Sequence, residues 1–275
     1  MIIYLLSFLL KILILYFNIY FMKKTNNIKS KKTTHASTTT KIDTDILTRL
    51  ERAKNSFFAN WPFWLSTFLS LILIKNYTSS SYIDVFITFI ANMYLGYDLH
   101  RQTHKRDFTK FYENMNAKYI RNNLTYLDSF IKYFVYFADF HDKIHHDTRI
   151  NKKYINITLE VIQNLLSEGL AAVIIVYLLQ PKITIYNYIF KPHIPTLCFW
   201  AILYTTVNNI NYEIIHPTEH INHHLNPNTN FGIDILDIIF DTKYEEEGFE
   251  LMHHAVINII IIAICIIIIF GEKKY

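Results

Sequence analysis

The stretch YIDVFITFIANMYLGYDLHRQTH, residues 82–104, decides how the chain reads. Residues 82–99 are an apolar run of membrane-crossing length, and the run ends on two histidines, His100 and His104. On a helix, positions i and i+4 lie on one face about 40° apart, so both imidazoles can reach one metal ion. A hydrophobic segment that stops at a metal-ligand pair is the theme of the whole sequence.

Working outward, further apolar blocks cover residues 1–22, 57–74, 157–179, 183–207 and 255–270, and the charged residues fall mostly between them. A soluble protein spaces its apolar residues with helical or strand period instead. With 51% hydrophobic residues in 275, the pattern predicts an all-α, multi-span membrane helical bundle with a cytosolic helical cap. Three parts follow: an N-terminal anchor and basic flexible loop at 1–56, a membrane domain at 57–248, and a C-terminal hydrophobic segment at 249–275. Block 1–22 has no basic start and no small-residue cleavage site, so it reads as an uncleaved anchor rather than a signal peptide. Residues 26–48 are rich in Lys, Thr and Ser and read as a flexible loop. The acids Glu160 and Glu168 inside block 157–179 predict that part of it packs against protein. That block and block 183–207 read as a hairpin that dips into the membrane and returns.

The net charge of +4 owes much to the basic residues between Lys23 and Lys54. Apolar blocks flank them on both sides, so they read as juxtamembrane charge that keeps this loop cytosolic, and no nucleic-acid partner is expected. The sequon Asn76-Tyr77-Thr78 then falls on the lumenal side. An even number of crossings returns residues 100–153 and 208–248 to the cytosolic face. Two cysteines, Cys198 and Cys265, both inside apolar blocks, support neither a disulfide framework nor a CxxC site.

Thirteen histidines are many, and nine of them form three clusters. The first is His100 and His104. The second is His141, His145 and His146. The third is His216, His220, His223 and His224. Any one cluster could be solvated polar surface or a pH-sensitive patch. Three clusters at membrane boundaries on one side point to metal, and nine imidazoles exceed what a single structural zinc needs. Imidazole suits iron, zinc and copper, and no thiolate is near. Asp98, Glu213, Glu219 and Asp237 are candidate carboxylates to orient the rings. His253, His254 and His193 read as structural, and His35 lies in the flexible loop.

These clusters resemble the histidine boxes of the fatty acid hydroxylase superfamily, which includes sterol desaturases, sterol methyl oxidases and fatty acid 2-hydroxylases. His100-Arg101-Gln102-Thr103-His104 resembles the first box, the run from His141 to His146 the second, and His220-Ile221-Asn222-His223-His224 the third. Asn230-Phe231-Gly232 and the run from Asp237 to Thr242 resemble the motif that follows. Three residues separate His141 from His145 where the family usually has two; Asp241 stands where Gly is usual, and Leu236 where Trp is usual. The resemblance implies two non-haem iron ions held by these nine histidines. It implies O2 as co-substrate, an electron donor such as cytochrome b5 or a reductase, and hydroxylation or desaturation of a membrane lipid: fatty acyl, sphingoid or sterol. An endoplasmic-reticulum-like membrane is the expected location. The alternatives are a catalytically inactive scaffold of the same fold, or a histidine-based metal transporter or sensor.

Overall fold

The structure is a computed structural model. It describes residues 37–119, 129, 131–133, 135, 136, 139, 145, 146, 154–180, 182–185, 188–244 and 248–271. The first apolar block, His35, His141, most of the aromatic stretch 126–140 and the acid run 245–247 lie outside the described residues.

The described chain is mostly helical. α1 (Ser37–Ala59) meets α2 (Trp61–Tyr77) at a 76° bend. Asn60 occupies the bend. Its Nδ2 donates to the Glu250 carbonyl at 2.8 Å and its Oδ1 accepts from the Met252 N–H at 2.7 Å. Pro62 sits in the first turn of α2, where its missing N–H has no helical partner to lose. Ser81 caps α3 (Tyr82–Lys105) by accepting from the Asp84 N–H at 3.0 Å. α4 (Phe108–Tyr119) follows, and the Asp139 carboxylate accepts from its first N–H groups, those of Phe108 and Thr109.

α5 (Tyr154–Leu165), a π turn (Leu166–Leu170) and α6 (Ala171–Leu179) form one apolar arm. Strands β1 (Ile183–Ile185) and β2 (Tyr188–Phe190) pair antiparallel, Thr184 opposite Ile189. The return arm is α7 (Ile194–Thr206), a second π turn (Val207–Asn211) and α8 (Tyr212–Ile215). Then come α9 (Thr218–Leu225), α10 (Asp234–Phe240), a 3₁₀ turn (Met252–Ala255) and α11 (Val256–Phe270). α11 packs on α2 and α7, and α3 packs on α7 and the first π turn. Phe63, Leu71, Ile74, Val85, Phe89 and Phe199 are among the residues that fill the core between them.

Two described segments are long and apolar enough to cross a membrane, Ile157–Leu179 and Met252–Phe270; the bent pair Ile46–Ala59 plus Trp61–Tyr77 makes a third if counted as one. α3 is not among them, although residues 82–99 read as a crossing: Asp84, Thr88, Asn92 and Asp98 dilute its apolar run. Glu160 and Glu168 are buried, as expected for an arm packed on protein.

Two expectations are corrected. Residues 37–48, read as flexible loop, are helical. The inward stripe of α1 includes Arg49, Arg52, Ser56 and Asn60, so its 3.6-residue period is mostly polar and hydrophobic patterning passes over it. The stripe is held by Arg49 on Asp241 at 3.1 Å and Ser56 on Asp234 at 3.1 Å. Block 183–207, which Lys191, Pro192 and Pro195 interrupt in the sequence, is not helical throughout either. Its first eight residues carry the β-pair, and the helix starts only after Pro192, once His193 opens the turn.

The end of α3 remote from His100 is tied tightly. The His193 backbone N–H donates to Thr88 Oγ1 at 2.9 Å, and its ring meets Thr78 Oγ1 at 3.0 Å and Thr196 Oγ1 at 2.8 Å. Lys191 N–H donates to Asp84 at 2.9 Å.

Candidate metal centre

The last turn of α3 brings His100 and His104 together with ring centroids 5.2 Å apart. α9 begins at Thr218 because Pro217, in extended conformation, sets the entry. Its eight residues carry His220, His223 and His224: His223 packs against His100 and His104 of α3, and His220 and His224 pack against His145. His145 and His146 come in from the segment between α4 and α5.

Seven histidines form two groups. In the first, His100, His104, His146 and His223 offer nitrogens that all lie within 4.8 Å of one another. In the second, His145, His220 and His224 do the same. Donors about 2.0–2.1 Å from one ion stand roughly 3–4 Å apart, so small shifts of the rings suffice to close each group on a metal. The groups adjoin: the rings of His146 and His224 are 4.5 Å apart. In the second group, Nε2 of His220 and Nε2 of His224 already face each other at 3.1 Å.

Backbone carbonyls fix two of the rings. His100 Nδ1 donates to the Phe231 carbonyl at 2.7 Å, and His223 Nδ1 donates to the Thr229 carbonyl at 2.6 Å. A carbonyl only accepts, so the proton of each neutral ring is on Nδ1 and the lone pair is on Nε2, which is buried in both. Those carbonyls are held by the tail that follows α9. Asp237 accepts from the N–H groups of Phe231 and Gly232, at 2.9 and 3.0 Å, and from Thr242 Oγ1 at 2.7 Å. Asn230, at φ +53°, donates to the Glu219 carbonyl and accepts from Tyr244 N–H. Asp237 thus acts on His100 through the Phe231 peptide.

Metal binding needs neutral imidazole. Burial, followed by the repulsion of neighbouring rings, holds His100 and His223 well below the usual histidine range. It brings His104 down to about 3 and lowers His146 strongly. All four rings of the first group are therefore uncharged at neutral pH. The donor set, the mutual distances and the tautomers fit a cation.

The second group has a carboxylate. Glu160 Oε1 lies 2.9 Å from His145 Nδ1, and both side chains are 7% exposed. Asn209 donates to the same oxygen at 3.0 Å and in turn accepts from Asn164 at 2.9 Å. In the sequence Glu160 signals only an arm packed on protein; its partner is 15 residues away on another element and no spacing rule links them.

Of the remaining candidates, His216 is in neither group. It caps α8 with φ +49°, because Pro217 stops the helix there, and it is exposed. His141 lies outside the described residues. Asp98 is half-buried and accepts from Gln102 at 3.4 Å rather than facing a ring. Glu213 is exposed, and Glu219 meets the site through its carbonyl on Asn230. His253 and His254 serve the fold, on the Ala59 carbonyl and on Asn211.

A cavity of about 50 Å³ adjoins the groups. His100, His145, His220 and His223 form one wall, and Phe63, Trp200, Leu203 and Val207 are among the residues of the other. No family model, curated protein or solved structure matches the chain.

Proposed function

We propose that this chain is a multi-span membrane oxygenase that hydroxylates or desaturates a lipid, using two iron ions held by the histidine groups. The observation that carries this reading is the pair of adjoining histidine groups beside a largely apolar cavity, in a chain with helices long and apolar enough to cross a bilayer. Two ions held in adjoining groups of imidazole nitrogens, beside a largely apolar chamber, would suit oxidation of an unactivated C–H bond. The resemblance to the hydroxylase boxes adds to it, and one departure from that pattern has a local reason. Asp241 has φ +62°, the left-handed conformation that favours Gly and that Asp tolerates, and its carboxylate engages Arg49.

Iron bound there would supply the reductive activation of O2, with electrons from a cytochrome b5-type or reductase partner at the cytosolic face. The chain's own contribution is geometric and electrostatic. The Phe231 and Thr229 carbonyls hold two rings in the ligating tautomer. Phe63, Trp200 and Leu203 keep bulk water from the chamber, which limits side reactions. A substrate dissolved in the bilayer explains why the groups sit where apolar helices end. The chain is then a helical bundle of an endoplasmic-reticulum-like membrane, with the histidine cap cytosolic.

Metal analysis of the purified full chain tests the reading, together with lipid profiles of cells expressing wild type or His223→Ala. Two irons per chain and an oxidised lipid that disappears in the variant are expected. Zinc alone, or identical lipid profiles, overturns it in favour of an inactive scaffold or a metal-handling protein.

A further inference from the structure

Glu168 is a buried acid that the ligand set does not use. It lies in the π turn of the apolar arm and is 2% exposed. The surrounding helices are shaped around it. A Cβ on Gly96 of α3 would fall 1.9 Å from Glu168 Oε2, so only glycine admits the carboxyl there. Gly169 has φ +148°, and the Asn92 amide donates to the Glu168 carbonyl at 2.8 Å. The Trp200 indole N–H donates to Oε2 at 3.3 Å. The helix is kinked at Gly169, and that kink, the glycine at position 96 and the indole donor make this a built position.

The carboxyl opens on a small chamber of about 20 Å³, room for one or two waters. Thr103, Gln163, Asn164, Ser167, Tyr204 and His100 complete its lining, and no Lys or Arg is among them. His100, Asn164 and Tyr204 also line the larger cavity, so the chamber is a side room of the metal centre. The titratable groups facing the chamber are His100 and Tyr204, whose hydroxyl is 3.4 Å from His100 Nδ1. With no cation among the described residues of the lining, a neutral acid costs far less here than a carboxylate.

We infer that Glu168 is the proton donor of the centre, passing its proton along the waters of this chamber. The inference rests on the oxygenase reading for its chemistry. Hydroxylation of R–H takes O2, two electrons from the partner protein and two protons; one oxygen atom ends in R–OH and the other leaves as water. Desaturation takes the same electrons and protons and releases two waters. In either case the two protons come from outside the substrate. Glu168 gives one and solvent the other; the carboxylate left behind is reprotonated after turnover by a proton from solvent carried in along the chamber waters.

Glu168→Gln keeps the shape and the acceptor for Trp200, so the fold and the metal content are expected to stay unchanged. Infrared spectra of the purified full chain at neutral pH should hold a carboxylic-acid band that shifts in D2O and is missing in the variant. Chemical reduction of iron-loaded protein followed by O2 should bleach that band transiently in time-resolved spectra, until the acid is reprotonated, and zinc-loaded protein should leave it in place throughout. Lipid product should fall about 100-fold in the variant, the usual scale for loss of a general acid. An absent or unmoved band in wild type, or wild-type product from Glu168→Gln, overturns the inference. A band that bleaches in a wild type yielding no oxidised lipid supports the donor and sinks the lipid reading instead.

Discussion

Asp237 shows how a single side chain sets a site it does not touch. It satisfies two buried N–H groups and one hydroxyl, and the Phe231 peptide it grips presents the carbonyl that orients His100. Asp237→Ala leaves those donors buried and unmatched, at roughly 1–3 kcal/mol each before relaxation. Lower thermal stability and weaker metal retention are expected together, checked by melting with and without added metal. Glu160 is the analogous residue of the second group. Glu160→Gln is expected to lower affinity about 10–100-fold for one ion and leave the other unchanged, because the histidine its carboxylate meets, His145, belongs to the second group. A chelator titration separates the two; equal loss from both positions would contradict the assignment. At this scale the sequence was informative about the histidine groups, since His100 with His104 and His220 with His224 share faces by spacing alone. It misled at His216, where Pro217 ends the helix and turns the residue out. It was silent on the Phe231 and Thr229 carbonyls, because backbone groups leave no compositional trace.

Among the elements, α1 was the hardest to foresee. Its inward stripe is mostly polar, so it resembles a loop to any hydrophobic count, yet Ser56 and Asn60 bind it to the segments around Asp234 and Glu250. Asn60→Ala removes the partners of a buried carbonyl and a buried N–H at the bend, and a loss of roughly 2–3 kcal/mol is expected from denaturant or thermal unfolding. The arms 157–179 and 252–270 were legible because a long apolar run has few other uses. β1 and β2 were not, since Ile, Thr and Tyr in a short stretch suit a strand as well as a helix. The segment before α11 also carries a pH signature. Burial pushes the Glu250 carboxyl up to about 8 from an ordinary 4.5. The folded state therefore binds that proton more tightly than the unfolded chain. Its contribution to stability is complete below about pH 4.5 and is lost as pH rises through 8. Glu250→Gln is expected to flatten the stability profile between those limits, measured by unfolding at a series of pH values.

The whole molecule has two unlike ends. One holds the histidine groups; at the other, Thr78, Thr88 and Thr196 converge on His193. If the bundle spans a bilayer as proposed, single cysteines at the two ends answer to opposite faces. In a chain with Cys198 and Cys265 replaced by Ala, Asn76→Cys and Lys110→Cys should react with an impermeant maleimide from different sides of sealed vesicles. Labelling of both from one side would refute that orientation. The apolar blocks made the helices of membrane-crossing length legible in the sequence; the closeness of seven rings from three separated segments was not, since only folding brings them into reach. The knot of threonines around His193 has a mechanical consequence. A pair of tweezers riveted at one tip can part only at the other, so on the oxygenase reading a guest would slip between these arms beside the imidazoles.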